Sequence, residues 1–107
     1  MKETNETELD SMQIILHAGN AKSDAYEALI ELKKDNYEVY KKNIKSAKYE
    51  IRLAHQAHAN ILRNLSLQNK MNDINLLLVH AEGHLSSTSI AIDLIEEIAE
   101  LHLSKGR

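Results

Sequence analysis

Residues 75–98 read NLLLVHAEGHLSSTSIAIDLIEEI, and this stretch decides the fold because it predicts a long, mostly apolar helix. Its apolar residues recur at steps of three and four and cover most of the helix circumference. A helix that is apolar on most faces must be buried on most faces. Three helices in one small chain would each be covered along one stripe only. The stretch therefore indicates oligomerisation through this helix.

Two further helices precede it in the sequence. The apolar spacing predicts three helices, at about residues 9–34, 36–65 and 72–103. In the second, the apolar positions follow a heptad-like seam: Tyr40, Ile44, Ala47, Ile51, Ala54, His58, Ile61 and Leu65. Short links between three helices predict a single all-α domain over residues 1–107, folded as an antiparallel three-helix bundle.

The segments outside the helices carry weaker signals. Residues 1–8 are polar and lack periodicity, so we expect a disordered tail. Asp35 follows the first helix and is expected to cap the second, with Glu38 reaching back toward it. The third helix is expected to start near Asn72 or Asp73.

Composition excludes several classes of protein. The chain has no proline, no cysteine and three glycines, which argues against an all-β fold and rules out thiolate zinc sites and disulfides. Its 13 basic and 16 acidic residues are mixed, with a net charge of −3, so nucleic-acid binding has little electrostatic support. With no long apolar run and no export signal, we expect a cytoplasmic protein that does not insert into the membrane.

Six histidines are many for 107 residues, and two of them interrupt the strongest helix. His80 and His84 are four apart and therefore share a helix face. Three interpretations are open: polar spacers in a bundle, two zinc ligands, or a nucleophilic or proton-handling His80. The motif HAEGH is not the HExxH of zinc proteases, because Glu82 lies on the opposite side of the helix from His80.

The second helix carries another histidine pair, His55 and His58, three residues apart. These side chains could face His80 or His84 across the bundle, which leaves a histidine-based metal site open. The simpler interpretation is that they are exposed or seam histidines without a special role, because their spacing carries little information.

Three segments resemble enzyme IIA of the lactose/cellobiose (N,N′-diacetylchitobiose) class of the bacterial phosphoenolpyruvate-dependent sugar phosphotransferase system. They are IILHAGNAKSDAYEAL, RLAHQAHANIL and LLLVHAEGHLSSTSI. The last is the most specific, because it is close to the family's LVHAQDHLMTSI. The resemblance covers roughly Leu9 to Lys105, in order and with the family's length.

The resemblance implies a fold and a role. It implies three long antiparallel helices per chain and a homotrimer, in agreement with the apolar third helix. It implies a phosphotransferase component in which His80 accepts a phosphoryl group from the phosphocarrier protein HPr as tele-phosphohistidine. The group then passes to enzyme IIB, which works with enzyme IIC in sugar uptake. No cofactor is implied, and His84, Ser87 or a histidine of the second helix could support the phosphoryl group.

The chain departs from the family at two positions of the motif. Glu82 stands where relatives usually have glutamine, and Gly83 stands where they have aspartate. In relatives that aspartate lies at the trimer axis, where three carboxylates gather around a metal ion. Without a carboxylate at Gly83, the resemblance implies a trimer that lacks the axial metal and assembles by apolar packing.

A different class of function remains an alternative. The altered motif is also compatible with a non-catalytic helical interaction or regulatory module that keeps the enzyme IIA fold. The sequence does not specify which sugar would be carried.

Overall fold

The computed structural model describes residues 6–69 and 75–105, and they form three helices: α1 (Glu6–Lys33), α2 (Tyr37–Leu67) and α3 (Leu76–Lys105). The prediction of an all-α three-helix protein is confirmed. Helix α1 begins three residues before the expected Leu9, so Glu6, Thr7 and Glu8 are helical and do not belong to a tail. The rest of the expected tail lies outside the described residues.

The core is a seam between the helices, and it is built from small residues on α1. The buried face of α1 consists of Ser11, Ile14, Ala18, Ala21, Ala25, Ala28 and Leu32. Alanine allows helix axes to approach closely. Helix α1 packs most extensively on α2 and less on α3, whereas α2 and α3 share the smallest contact. The bundle is therefore organised around α1.

The seam predicted for α2 matches the buried face. Tyr40, Ile44, Ala47, Ala54, Ile61 and Leu65 are buried, and Ile51 and His58 are half-buried. All of these side chains except His58 enter two core clusters, one around Ala25 and Ile95 and the other around Ile14 and Leu78.

The link between α1 and α2 differs from the sequence expectation. Asp35 does not cap α2: it lies in the left-handed region with a φ of 62° and ends α1. Its N–H donates to the Leu32 carbonyl at 3.0 Å, and the N–H of Asn36 donates to the Glu31 carbonyl at 2.9 Å. This is the hydrogen-bond pattern of a Schellman motif, which satisfies the last carbonyls of a helix. Asn36 occupies the cap position of α2 without a side-chain cap bond.

Helix α3 starts later than expected, at Leu76. The side chain of Asn75 accepts a hydrogen bond from the N–H of Leu78 at 3.0 Å. An asparagine in this position caps the free N–H groups of the first turn. The expected start near Asn72 lies outside the described residues.

Two apolar stripes remain exposed on the outer faces of the bundle. The α1 stripe consists of Leu9, Met12, Leu16, Tyr26 and Ile30, each between 44% and 54% exposed. The α3 stripe consists of Leu76, Val79, Ile90, Leu94, Ile98 and Leu101, each between 46% and 83% exposed. Many of the apolar residues whose spacing predicts α1 thus lie on this outer face and not in the core. Within the described ranges, no helix is long and apolar enough to cross a membrane.

Candidate functional site

The site is built around His80, which lies in the second turn of α3. Its side chain is exposed, beside an apolar depression lined by Leu76, Leu77 and Val79. Burial of Leu78 fixes the rotation of the helix about its axis and therefore the direction in which His80 points. An imidazole in this place is accessible to a second protein.

His84 lies one turn further along the same face and contacts His80 directly. The two Nε2 atoms are 3.1 Å apart, and the rings meet edge to face with centroids 4.6 Å apart. The expectation that these two histidines share a face is confirmed. Ser87, the next polar residue on this side, donates its hydroxyl to the His84 carbonyl at 3.3 Å. The Ser87 hydroxyl is therefore hydrogen-bonded to the helix backbone and not to His80.

Glu82 points away from His80 and ties α3 to α2. Its carboxylate accepts a hydrogen bond from Nε2 of His58 at 2.7 Å. Sequence reasoning placed Glu82 opposite His80 but did not pair it with His58. Sequence spacing alone does not reveal this contact, because the residues lie 24 positions apart and meet only when α2 packs on α3.

The histidines of α2 do not approach the His80–His84 pair. His55 contacts the hydroxyl of Ser89 at 3.1 Å, and His58 is held by Glu82. The suggestion that one of them supports His80 is therefore not supported by the geometry. Both face α3 from the side opposite His80, where they reinforce the smallest helix contact of the bundle.

His17 and His102 make interhelical contacts elsewhere. Nδ1 of His17 donates to Glu50 at 2.9 Å, and Nε2 of His102 donates to Asp35 at 2.9 Å. Glu50 also accepts a hydrogen bond from Asn20 at 3.0 Å. The hydrogen bonds from His17 and Asn20 lower the pKa of Glu50 below its usual value, because they stabilise the charged carboxylate.

The family's axial metal position does not fit this chain. Gly83 is exposed on α3 and has no side-chain donor to offer. Among residues 6–69 and 75–105, no three His, Asp or Glu side chains come together in a group that could hold a metal ion. A metal site built from the α3 histidines together with those of α2 is also unsupported, because the α2 histidines contact Ser89 and Glu82 instead.

Comparison with known proteins agrees with the fold and the motif. The family described as "PTS system, Lactose/Cellobiose specific IIA subunit" matches residues 10–103. The lichenan-specific phosphotransferase enzyme IIA component of Bacillus subtilis (strain 168) is 36% identical over 90 residues, covering 84% of this chain and 81% of the relative. The N,N′-diacetylchitobiose-specific EIIA component of Escherichia coli (strain K12) is 32% identical over 100 residues, covering 94% and 85%.

A solved structure shows the same architecture. The crystal structure of the PTS cellobiose-specific enzyme IIA from Bacillus anthracis superposes with a TM-score of 0.86 at 28% sequence identity, covering 97% of this chain and 94% of that one. The fold and the family match define a helical component of a sugar phosphotransferase system. The chain belongs to the lactose/cellobiose-specific IIA family.

Proposed function

We propose that this protein is a phosphocarrier in which Nε2 of His80 accepts a phosphoryl group from HPr and passes it to an enzyme IIB component. The observation that carries the proposal is the exposed imidazole of His80. Nε2 of His84 lies 3.1 Å from Nε2 of His80. Family membership supports the same role. Relatives are named for lichenan, N,N′-diacetylchitobiose and an oligo-β-mannoside, which supports a sugar of this kind as the transported substrate.

The proposed role of His80 assigns a tautomer to each ring. A neutral imidazole has one N–H donor and one acceptor nitrogen. For Nε2 of His80 to attack phosphorus it must hold a lone pair, so the proton of His80 is on Nδ1. His84 then donates from Nε2 to Nε2 of His80. This hydrogen bond keeps the reactive tautomer in place before the donor arrives.

His84 has a second role once the phosphoryl group is transferred. The bond from phosphorus to its donor breaks as a bond to Nε2 of His80 forms, and the group arrives with its negative charge. The N–H of His84 is then free to donate to a phosphoryl oxygen. His80 lies one turn from the positive N-terminal end of α3, which favours an anion at this place.

We further propose that the protein acts as a homotrimer. The two exposed stripes place large apolar side chains in rows on the outer faces of α1 and α3. A contiguous exposed apolar surface marks an interaction site. The protomer is also a thin rod of 60 × 23 × 18 Å. Its radius of gyration is 16.8 Å, compared with about 13 Å for a compact domain of this length. Packing α3 on α3 of other copies would bury the stripe beside His80.

In this trimer no metal would lie at the axis. Gly83 falls within the α3 stripe and brings neither a ligand nor a repelling charge there. Assembly would rest on apolar burial.

Phosphorylation by purified enzyme I and HPr with labelled phosphoenolpyruvate tests the role of His80. We expect His80→Gln to abolish labelling, and His84→Ala to slow it by about a hundredfold through loss of one hydrogen-bond donor. His55→Gln is the matched control, since it removes an exposed histidine remote from the pair, and should be labelled at the normal rate. Labelling that persists in folded His80→Gln contradicts the assignment.

Analytical ultracentrifugation tests the trimer. We expect a species three times the chain mass, and dissociation on Leu94→Glu, which places a charge in the α3 stripe. Lys45→Glu, on an exposed part of α2, is the control and should leave the trimer intact. A monomer at every concentration would contradict the proposal.

A further inference from the structure

We propose that His80 and His84 form a two-nitrogen binding site for a divalent transition metal such as Zn²⁺, and that the bound metal blocks phosphoryl acceptance. The binding itself depends only on the two side chains. The inhibition rests on the proposed function of His80. The site is distinct from the axial position of Gly83, which has no ligand to offer.

The distance between the two nitrogens fits a metal chelate. Zinc binds imidazole nitrogen at about 2.0–2.1 Å in a near-tetrahedral arrangement. Two nitrogens 3.1 Å apart, each at that distance from one ion, subtend an angle of about 98° at the metal. This value lies between the right angle of square-planar geometry and the tetrahedral angle. The helix backbone, with ligands four residues apart, therefore already holds the pair at chelating distance.

The exposure of the pair leaves room for the ion and its waters. His80 is exposed and His84 is half-buried, so the metal can be approached from solvent. Two ligands leave the remaining coordination positions to water, and this makes the site exchangeable and not structural. Imidazole favours zinc, copper and nickel, whereas magnesium prefers oxygen ligands.

The other histidines are poorer candidates for the same metal. His17 donates to Glu50, and His102 donates to Asp35. His58 pairs with Glu82, and His55 pairs with Ser89. A metal there would displace an interhelical hydrogen bond. At His80 and His84 the metal replaces only the hydrogen bond between the two rings. His84 moves its proton from Nε2 to Nδ1, and both rings turn so that their Nε2 lone pairs point at the ion. The proton is lost to water from one nitrogen and regained on the other, so the ligand pair keeps its charge.

Metal and phosphoryl group compete for one lone pair. Both need the free electron pair on Nε2 of His80, so the two states exclude each other. The amount of zinc bound should therefore decrease as the phosphorylated fraction of the protein increases. The rate of phosphoryl labelling should decrease as the zinc concentration increases. Because imidazole binds metal only when neutral, affinity should also fall in acid.

Isothermal titration of the unphosphorylated protein with zinc chloride tests the site. We expect one Zn²⁺ per chain, and a loss of affinity on the order of a hundredfold in either His80→Ala or His84→Ala, because a single ligand loses the effective concentration of the second. His55→Ala is the matched control and should bind as the unaltered protein does. Magnesium chloride should give no binding at His80 and His84. Unchanged zinc affinity in folded His84→Ala would overturn the proposal. So would an affinity of the unaltered protein no tighter than that of a variant carrying both His80→Ala and His84→Ala.

Labelling from phosphorylated HPr, prepared and freed of enzyme I beforehand, tests the inhibition. Zinc should slow labelling of the unaltered protein, EDTA should restore it, and His84→Gln should be slowed far less by the same zinc concentration. Equal slowing of both proteins would overturn the inhibition. If no protein is labelled even without zinc, the proposed function fails, while the titration still decides whether the metal site exists.

Discussion

Replacing Gly83 by alanine should stabilise the protein. Gly83 is the eighth residue of α3 and lies within its helical interior, where glycine is less favourable than alanine by about 1 kcal/mol. A Cβ built at this position meets nothing within 4 Å, so the added methyl group has room in the protomer. The whole difference in helix propensity should therefore appear as stability.

The expected magnitude is an increase of about 1 kcal/mol in the free energy of unfolding. For a domain of this size that corresponds to a rise of about 4–8 °C in Tm. Urea denaturation followed by far-UV circular dichroism, at several protein concentrations, measures the change. Gly19→Ala is the matched control: it too lies inside a helix, on the exposed side of α1, with nothing within 4 Å of its added Cβ. The two effects should add, since the residues lie on different helices.

The pair of variants separates two explanations of an unexpected result. If both variants are destabilised, the argument from helix propensity is wrong for this protein. If Gly19→Ala is stabilised and Gly83→Ala is not, the methyl group at Gly83 meets atoms that the isolated protomer does not contain. A concentration-dependent loss would then identify those atoms as another copy packed on the α3 stripe.

Ser11→Ala should raise stability by about 1 kcal/mol in urea denaturation, because Ser11 is fully buried and its hydroxyl finds no hydrogen-bond partner among the described residues. Ser46→Ala is the control and should be neutral or slightly destabilising, since that hydroxyl donates to Asp24 at 2.6 Å; a loss at Ser11 would contradict the reasoning. Glu50→Gln should cost about 1 kcal/mol near neutral pH, because the lowered pKa of Glu50 reports a carboxylate stabilised by His17. That contribution is fully present above pH 4.5, the ordinary pKa of a glutamate carboxyl, and is lost as the pH falls through the lowered pKa. The free energies of unfolding of the unaltered protein and of Glu50→Gln should therefore converge in acid. A gap that is constant with pH would refute the charge-based explanation.

The sequence by itself determined the class of fold and the candidate acceptor. Helix periodicity, the lack of proline and the unusual apolarity of residues 75–98 specify three helices, because these are local properties of the chain. The same holds for His80 and His84: a separation of four residues on a helix puts them on one face in any fold. The buried seam of α2 was likewise readable from its spacing.

Tertiary structure alone decided how the helices are paired and which polar groups meet. The spacing on α1 fits two faces, the alanine face and the exposed apolar stripe, and only packing against α2 and α3 selects the alanine face for the core. The contacts of His58 with Glu82 and of His102 with Asp35 join residues far apart in sequence, so no local sequence pattern predicts them. The left-handed conformation of Asp35 also depends on tertiary structure. The turn that lets α2 fold back on α1 places Asp35 where it ends α1 and does not cap α2.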